Sequence, residues 1–135
     1  MMKVLSPYVL LQEILWPDRW KSTVACLLLN RTKRAQVDKV WPKLFEKYPD
    51  AKSLLEANDE ELRAILQPLG LSKMRSGRLK KLAQGWISGV PFQQLHGVGE
   101  YAMHSDQIFY NNILPDNVSD HALVSYVKWK KEQEQ

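Results

Sequence analysis

The chain has 135 residues, 44% of them hydrophobic, which suits a single domain with a real core and leaves little for a second one. Nineteen Lys and Arg against fifteen Asp and Glu give a formal charge of +4, a modest excess that favours an anionic partner. The single cysteine, Cys26, excludes an internal disulfide and any four-cysteine zinc or iron–sulfur site made by this chain alone, and no apolar run nears the ~20 residues that span a bilayer.

Helical punctuation recurs from end to end with no competing strand-length alternation, so the chain reads as all-α, a compact bundle of about eight to ten helices. Ser6-Pro7 has the form of an N-cap followed by proline at the first helical position, leading into Leu10, Leu11, Ile14 and Leu15. Pro17 ends that helix, and Asp18 can cap an apolar helix from Trp20 to Leu29, in which Cys26 reads as a buried thiol. Val37, Val40, Trp41, Leu44 and Phe45 form an amphipathic stripe, and Pro42 inside it predicts a kink or a restart.

Asp50 and Asn58 cap two short helices that end at Pro68-Leu69-Gly70-Leu71. A longer basic helix runs from Ser72 to Ser88, with Leu79, Leu82, Ala83 and Trp86 on its inner side, until Gly89 and Pro91 stop it. Beyond a hairpin at residues 95–101, a helix turns Ala102, Ser105, Ile108 and Phe109 inward. Residues 111–117 give the longest loop signal, and Asp120 then opens a last helix carrying Leu123, Tyr126 and Val127. Residues 1–135 read as one domain whose ends, 1–5 and 132–135, are expected to fray.

Three features can carry chemistry. Glycines in Gly97-Val98-Gly99 let the backbone approach a ligand with no Cβ in the way, and the following helix turns free N–H groups toward the same point. That hairpin is either an anion site or an ordinary turn between helices. The segment Lys73-Met74-Arg75-Ser76-Gly77-Arg78-Leu79-Lys80-Lys81 is basic without one acid, and Arg31, Lys33 and Arg34 form a second group. Both are either solvated faces or a phosphate-tracking surface. Asp120 is an N-cap that can double as a catalytic carboxylate, because hydrogen bonds from a helix N-terminus favour its charged form. His96, His104 and His121 lack metal-ligand spacing and suit loop or cap roles.

In combination these segments resemble a known family, the helix-hairpin-helix DNA glycosylases with a Gly/Pro-rich loop and a catalytic aspartate. Within it the chain is similar to the mismatch-specific thymine/uracil glycosylases of the methyl-CpG-binding-domain type. The likeness runs from about Ser6 to Trp129. It is carried by Leu11-Gln12-Glu13, Trp20-Lys21, Leu29-Asn30-Arg31-Thr32, Glu46-Lys47-Tyr48-Pro49, Pro68-Leu69-Gly70-Leu71, Leu95-His96-Gly97-Val98-Gly99 with Tyr101, and Asp120-His121.

That resemblance implies Asp120 as the catalytic carboxylate and Tyr101, Gln12 and Leu10 in the base pocket. It implies Arg31 as a finger filling the space of a flipped nucleotide and Leu69, Gly70 and Leu71 as a wedge on the opposite strand. His96, Gly97, Val98 and Gly99 would hold DNA, with Lys33, Lys73 and Arg75 as further phosphate contacts. The implied partner is double-stranded DNA with a G:T or G:U mismatch, bound by a monomer that needs no metal or cofactor. The implied setting is intracellular, the nucleus if the source is eukaryotic.

Departures from the family pattern sharpen these expectations. Bifunctional members carry a lysine at the position of Tyr101, so its absence implies hydrolysis by water that leaves an abasic site on an intact backbone. The cysteine cluster of those members is missing, which implies no iron–sulfur group. Ala122 stands where the mismatch enzymes have a lysine, Glu100 replaces a basic residue beside the hairpin, and the loop before Asp120 is one residue shorter. These changes leave room for a different class of function, a non-catalytic or degenerate helix-hairpin-helix DNA-binding module. A helical protein-interaction domain is a third reading.

Overall fold

The computed structural model describes residues 5–134. Among them are nine α-helices, two 3₁₀ turns and no strand, as the sequence periodicity predicts. The helices are α1 (Leu11–Leu15), α2 (Arg19–Leu29), α3 (Arg34–Val37), α4 (Trp41–Lys47), α5 (Ala51–Leu55), α6 (Asp59–Leu66), α7 (Ser72–Ile87), α8 (Glu100–Tyr110) and α9 (His121–Gln133). Residues 1–4 and Gln135, part of the ends expected to fray, lie outside the described residues.

Local chemistry sets most boundaries. Asp18, Asp50, Asn58 and Asp120 each accept a backbone N–H from the first turn of the helix they precede, claiming a donor that has no partner inside the helix. Pro42 falls in the first turn of α4, where a missing N–H costs nothing, so the stripe of Val37 to Phe45 is two helices with a restart between them.

The first helix departs from expectation. It begins at Leu11, not at Ser6-Pro7: the Ser6 hydroxyl accepts the Tyr8 N–H at 3.3 Å, but the chain leaves helical geometry at Val9, with φ +45°. Glu13 accepts from the Ser6 N–H, the Ser6 hydroxyl and the Leu10 N–H, each at 2.7 Å. A residue at the third helical position thus reaches back to organise the entry of the chain.

The apolar side chains form two cores. A larger one draws on α1 through α7, with Leu28, Leu44, Leu54, Leu62, Leu66 and Leu82 fully enclosed, and Leu95 closes its far side. A smaller one gathers Leu10, Ile108, Phe109, Leu123, Tyr126 and Val127 around α8 and α9. Helix α1 lies on the seam, since Leu10 belongs to one core and Leu11 to the other.

A fork of two hydrogen bonds crosses the same seam. Arg19 on α2 donates to both oxygens of buried Asp106 on α8, at 2.7 and 2.8 Å. The guanidinium also lies 4.6 Å from the centre of the Phe92 ring. A buried carboxylate needs such a partner, because leaving it unpaired is far costlier than forming the pair is favourable.

Candidate active site

A cleft of about 390 Å³ opens along the seam between the two cores, lined by Leu10, Leu11, Gln12, Leu29, Arg34, Tyr101, His121, Ala122 and neighbours. Helices α1, α2, α3, α8 and α9 all reach it. Gln12 is 1% exposed, and its amide Nε2 donates to the Tyr101 phenol oxygen at 2.7 Å across 89 residues of sequence. The same nitrogen lies 3.9 Å from Cys26 Sγ, so the buried thiol forms the floor behind the pair. Burial pushes the Cys26 thiol up to about 12, which keeps it neutral and inert.

Burial also holds the Tyr101 phenol well above its ordinary value. The phenol therefore stays protonated, and its O–H remains a donor after its oxygen has accepted from Gln12. The arrangement offers a flat base one ring face together with a small set of oriented amide and hydroxyl groups.

Asp120 lies outside the lining of this cleft, near enough for its charge to reach the Tyr101 phenol. Its Oδ2 accepts the Leu123 N–H at 3.0 Å as the cap of α9, and the two residues after it line the cleft wall. Oδ1 has no protein partner among the described residues. One oxygen is thus fixed by the helix while the other remains free for chemistry.

The hairpin is built on close approach. Gly97 has φ +85°, and a methyl at its α-carbon would meet Leu27 Cδ2 at 2.6 Å. The Val98 N–H closes the turn onto the Leu95 carbonyl at 3.1 Å. Gly99 then caps α8 without any side-chain bond, and a Cβ there would meet nothing within 4 Å. The first N–H groups of α8 have no acceptor among the described residues, as the start of a helix leaves them, and such groups can hold an anion.

Two loops project beside the cleft. Arg31 at the end of α2 has φ +60° and is exposed. Leu71 at the start of α7 has φ +51° and is 68% exposed. Non-glycine residues in the left-handed region are costly by about 1–3 kcal/mol each and cluster where a side chain must be presented. Leu69, matched above to the same wedge, instead faces the larger core.

Arg75 joins these loops. Its Nε donates to the Gly70 carbonyl at 3.1 Å and its Nη2 to the Thr32 hydroxyl at 3.2 Å. Lys33 and Lys73 are exposed, and Lys73, Arg78, Lys81 and His96 surround an open basin next to Leu71. Burial first, then the charges of Lys81 and Arg78, depress the His96 imidazole below its usual value. Only the smaller part of that depression comes from positive charge, that of Lys81 and Arg78.

The structure brings Gln12, Tyr101 and Leu10 to one cleft with Asp120 outside its lining, and it shows partners for Glu13, Arg34 and Arg75 that the sequence does not. The Glu13 signal was present as a glutamate three residues after the helix entry. The Arg34–Asp38 pair is local, one helical turn apart, but the bonds of Arg34 to Val9 and of Arg75 to Thr32 join residues too distant in the chain to leave a local signal.

An all-helical bundle in which a glycine hairpin feeds a helix N-terminus beside a basic face has the form of a helix-hairpin-helix protein. The chain belongs to the HhH-GPD superfamily of base excision DNA repair proteins, which it matches over residues 24–135. It is 42% identical over 108 residues to a methyl-CpG-binding domain protein 4-like protein of Arabidopsis thaliana, covering 78% of this chain and 24% of that protein. It is 36% identical over 94 residues to a thymine/uracil-DNA glycosylase of Pyrobaculum aerophilum, covering 63% of this chain and 41% of the relative. The solved structure of a thermostable thymine-DNA glycosylase superposes with a TM-score of 0.69 at 27% identity, over 76% of this chain and 51% of that one. The chain thus spans a quarter to a half of the length of these relatives.

Proposed function

We propose that this chain is a monofunctional DNA glycosylase that releases thymine or uracil mispaired with guanine. The observation that carries the reading is the Gln12–Tyr101 pair inside a cleft, with the free oxygen of Asp120 nearby. In support, the family is one of base excision DNA repair, and relatives named thymine/uracil-DNA glycosylase or thymine-DNA glycosylase share about a third of their aligned residues with it.

On this reading the hairpin and the basic face grip the backbone, Leu71 presses on the stack and Arg31 fills the space of the extruded nucleotide. The flipped pyrimidine lies against Tyr101, and Gln12 with the phenol reads its carbonyl and imide edge. The bond from C1′ to N1 breaks with its electron pair staying on the base. Positive charge on the sugar is stabilised by the Asp120 carboxylate. Water then bonds to C1′ and gives up a proton to Asp120, which returns it to the departing base or to solvent. With tyrosine at residue 101 and no lysine there, no Schiff base forms and the strand stays intact.

The test is release of base from G:T and G:U duplexes, read as strand scission after alkali. Asp120→Asn is the control, since asparagine caps a helix as well as aspartate does but lacks the charge. Wild-type scission above that control supports the enzyme, whereas none at long incubation sinks it.

A second reading follows from Glu100. This carboxylate sits on the first residue of α8, beside the N–H groups offered to phosphate; it accepts from the Ser119 hydroxyl at 3.3 Å, and its Oε1 lies 3.9 Å from His104 Nδ1. A non-catalytic mismatch-binding module would tolerate that repulsion better than an enzyme that must flip a base. Tight binding unchanged by Asp120→Asn, without base release, would favour the module.

A further inference from the structure

Arg34 is the charged side chain of the cleft to which the scheme above gives no task. Its guanidinium is held from two sides: Nε donates to Asp38 Oδ1 at 2.7 Å, and Nη1 donates to the Val9 carbonyl at 2.9 Å. Asp38 is itself braced by the Trp41 indole N–H at 2.9 Å. Val9 presents its carbonyl from φ +45°, a left-handed conformation that a β-branched residue adopts at a cost. An exposed pair one helical turn apart needs no such strain to form. The guanidinium is therefore held at two nitrogens in the cleft wall, and its Nη2 has no partner among the described residues.

Among the described residues that line the cleft, Arg34 alone carries a fixed positive charge. Gln12, Tyr101 and Ser125 are neutral there, Ala122 contributes no polar group, and Asp120, outside the lining, is an anion suited to the sugar. When the bond from C1′ to N1 breaks, its electron pair stays on the pyrimidine and spreads over N1 and the ring carbonyls. The His121 imidazole also lines the cleft, but Arg34 is the lining residue whose positive charge is permanent and so always available to that negative charge. The Arg34 charge already reaches the Tyr101 phenol, where it opposes the effect of burial.

We propose that Arg34 stabilises the leaving base: its free Nη2 edge hydrogen-bonds a ring carbonyl of the flipped pyrimidine and takes up the charge left on N1. This rests on the glycosylase reading, and it deepens that reading by assigning the leaving group its own residue. Its signature is a dependence on leaving-group acidity. 5-Fluorouracil departs as a more stable anion than uracil, and uracil more readily than thymine, so the need for Arg34 rises in that order.

The experiment measures single-turnover release of the three bases opposite guanine at saturating protein, with duplex Kd and melting temperature alongside. Arg34→Gln is expected to slow thymine release about 100-fold and 5-fluorouracil release about tenfold or less, with Kd changed less than about threefold. Arg34→Lys should recover part of the loss. Asp38→Ala, which keeps the cation and removes its brace, should show the same order of bases with a smaller loss, and it carries the test if Arg34→Gln does not fold. An equal loss for all three bases overturns the inference, as does weaker binding with unchanged rates, the mark of a phosphate contact. A wild-type protein that releases none of the three removes the glycosylase reading and this inference with it.

Discussion

Gly97 rests so closely on Leu27 that a single added methyl would meet Leu27 Cδ2 at 2.6 Å, and this contact fixes where the hairpin stands relative to α2. Gly97→Ala must both accept φ +85° and push the leucine aside. The backbone term alone is about 1–2 kcal/mol, and the total should reach about 2–3 kcal/mol. We expect a melting temperature lower by roughly 5–10 °C together with weaker duplex binding. Gly99→Ala separates the two effects, since that position has open space around it and an extended backbone. Its melting should change by less than about 0.5 kcal/mol while duplex affinity falls, because the methyl blocks the approach of a phosphate.

The Gln12–Tyr101 hydrogen bond makes a prediction in which two losses partly cancel. Tyr101→Phe leaves the amide of a side chain that is 1% exposed with only a distant sulfur for company. An unsatisfied buried donor of this kind costs about 1–3 kcal/mol, whereas removing both partners approaches neutrality. Thermal melts should therefore place Gln12→Leu/Tyr101→Phe above Tyr101→Phe alone, while both variants release base at least about tenfold more slowly than wild type. A double variant no more stable than the single one would mean that the bond contributes to the site without supporting the fold.

The contrast between what the sequence made legible and what it did not follows the reach of each interaction. Asp18, Asp50, Asn58 and Asp120 act within three residues of themselves, so their capping roles could be read directly. Glu13 also acts locally, but the serine–proline signal before it does not start the helix, because the chain leaves helical geometry at Val9. Arg75 reaches Thr32 across 43 residues and Arg34 reaches Val9 across 25, distances over which helical periodicity carries no information. The same limit explains Leu69 and Leu71: two leucines in one loop look alike in sequence, and only the left-handed backbone at Leu71 turns that one outward. Gln12 and Tyr101 were associated through family resemblance, not through any local pattern.

Glu13 ties the start of the described chain to the cleft wall, so its loss should be felt in both stability and activity. Three donors converge on its two oxygens, and Glu13→Gln replaces one acceptor with an N–H that faces them. We expect a loss of about 2–3 kcal/mol in urea melts, with an unchanged m-value if the chain still unfolds in one step. Leu10, whose N–H is one of the three donors and whose side chain lines the cleft, should shift with it. Base release should then fall even in conditions where the variant remains folded. Full activity in a folded Glu13→Gln protein would show that the cleft wall does not depend on this anchor.

His96 gives a pH dependence of definite sign. Its imidazole is depressed in the folded protein, so between that depressed value and the unfolded value of about 6.5 the unfolded chain binds more protons. Its contribution to stability is therefore present above pH ~6.5 and is lost as pH falls through the folded value. Phosphate on the neighbouring basic face would reverse the effect of Lys81 and Arg78 and raise the imidazole again. Binding then takes up a proton, so duplex affinity should strengthen as pH falls from 7.5 toward 6. NMR titration of the His96 ring should show a rise on adding duplex, and Lys81→Gln should raise the value in the free protein while lessening the salt dependence of binding. An imidazole whose titration is the same with and without duplex would place the DNA on another face.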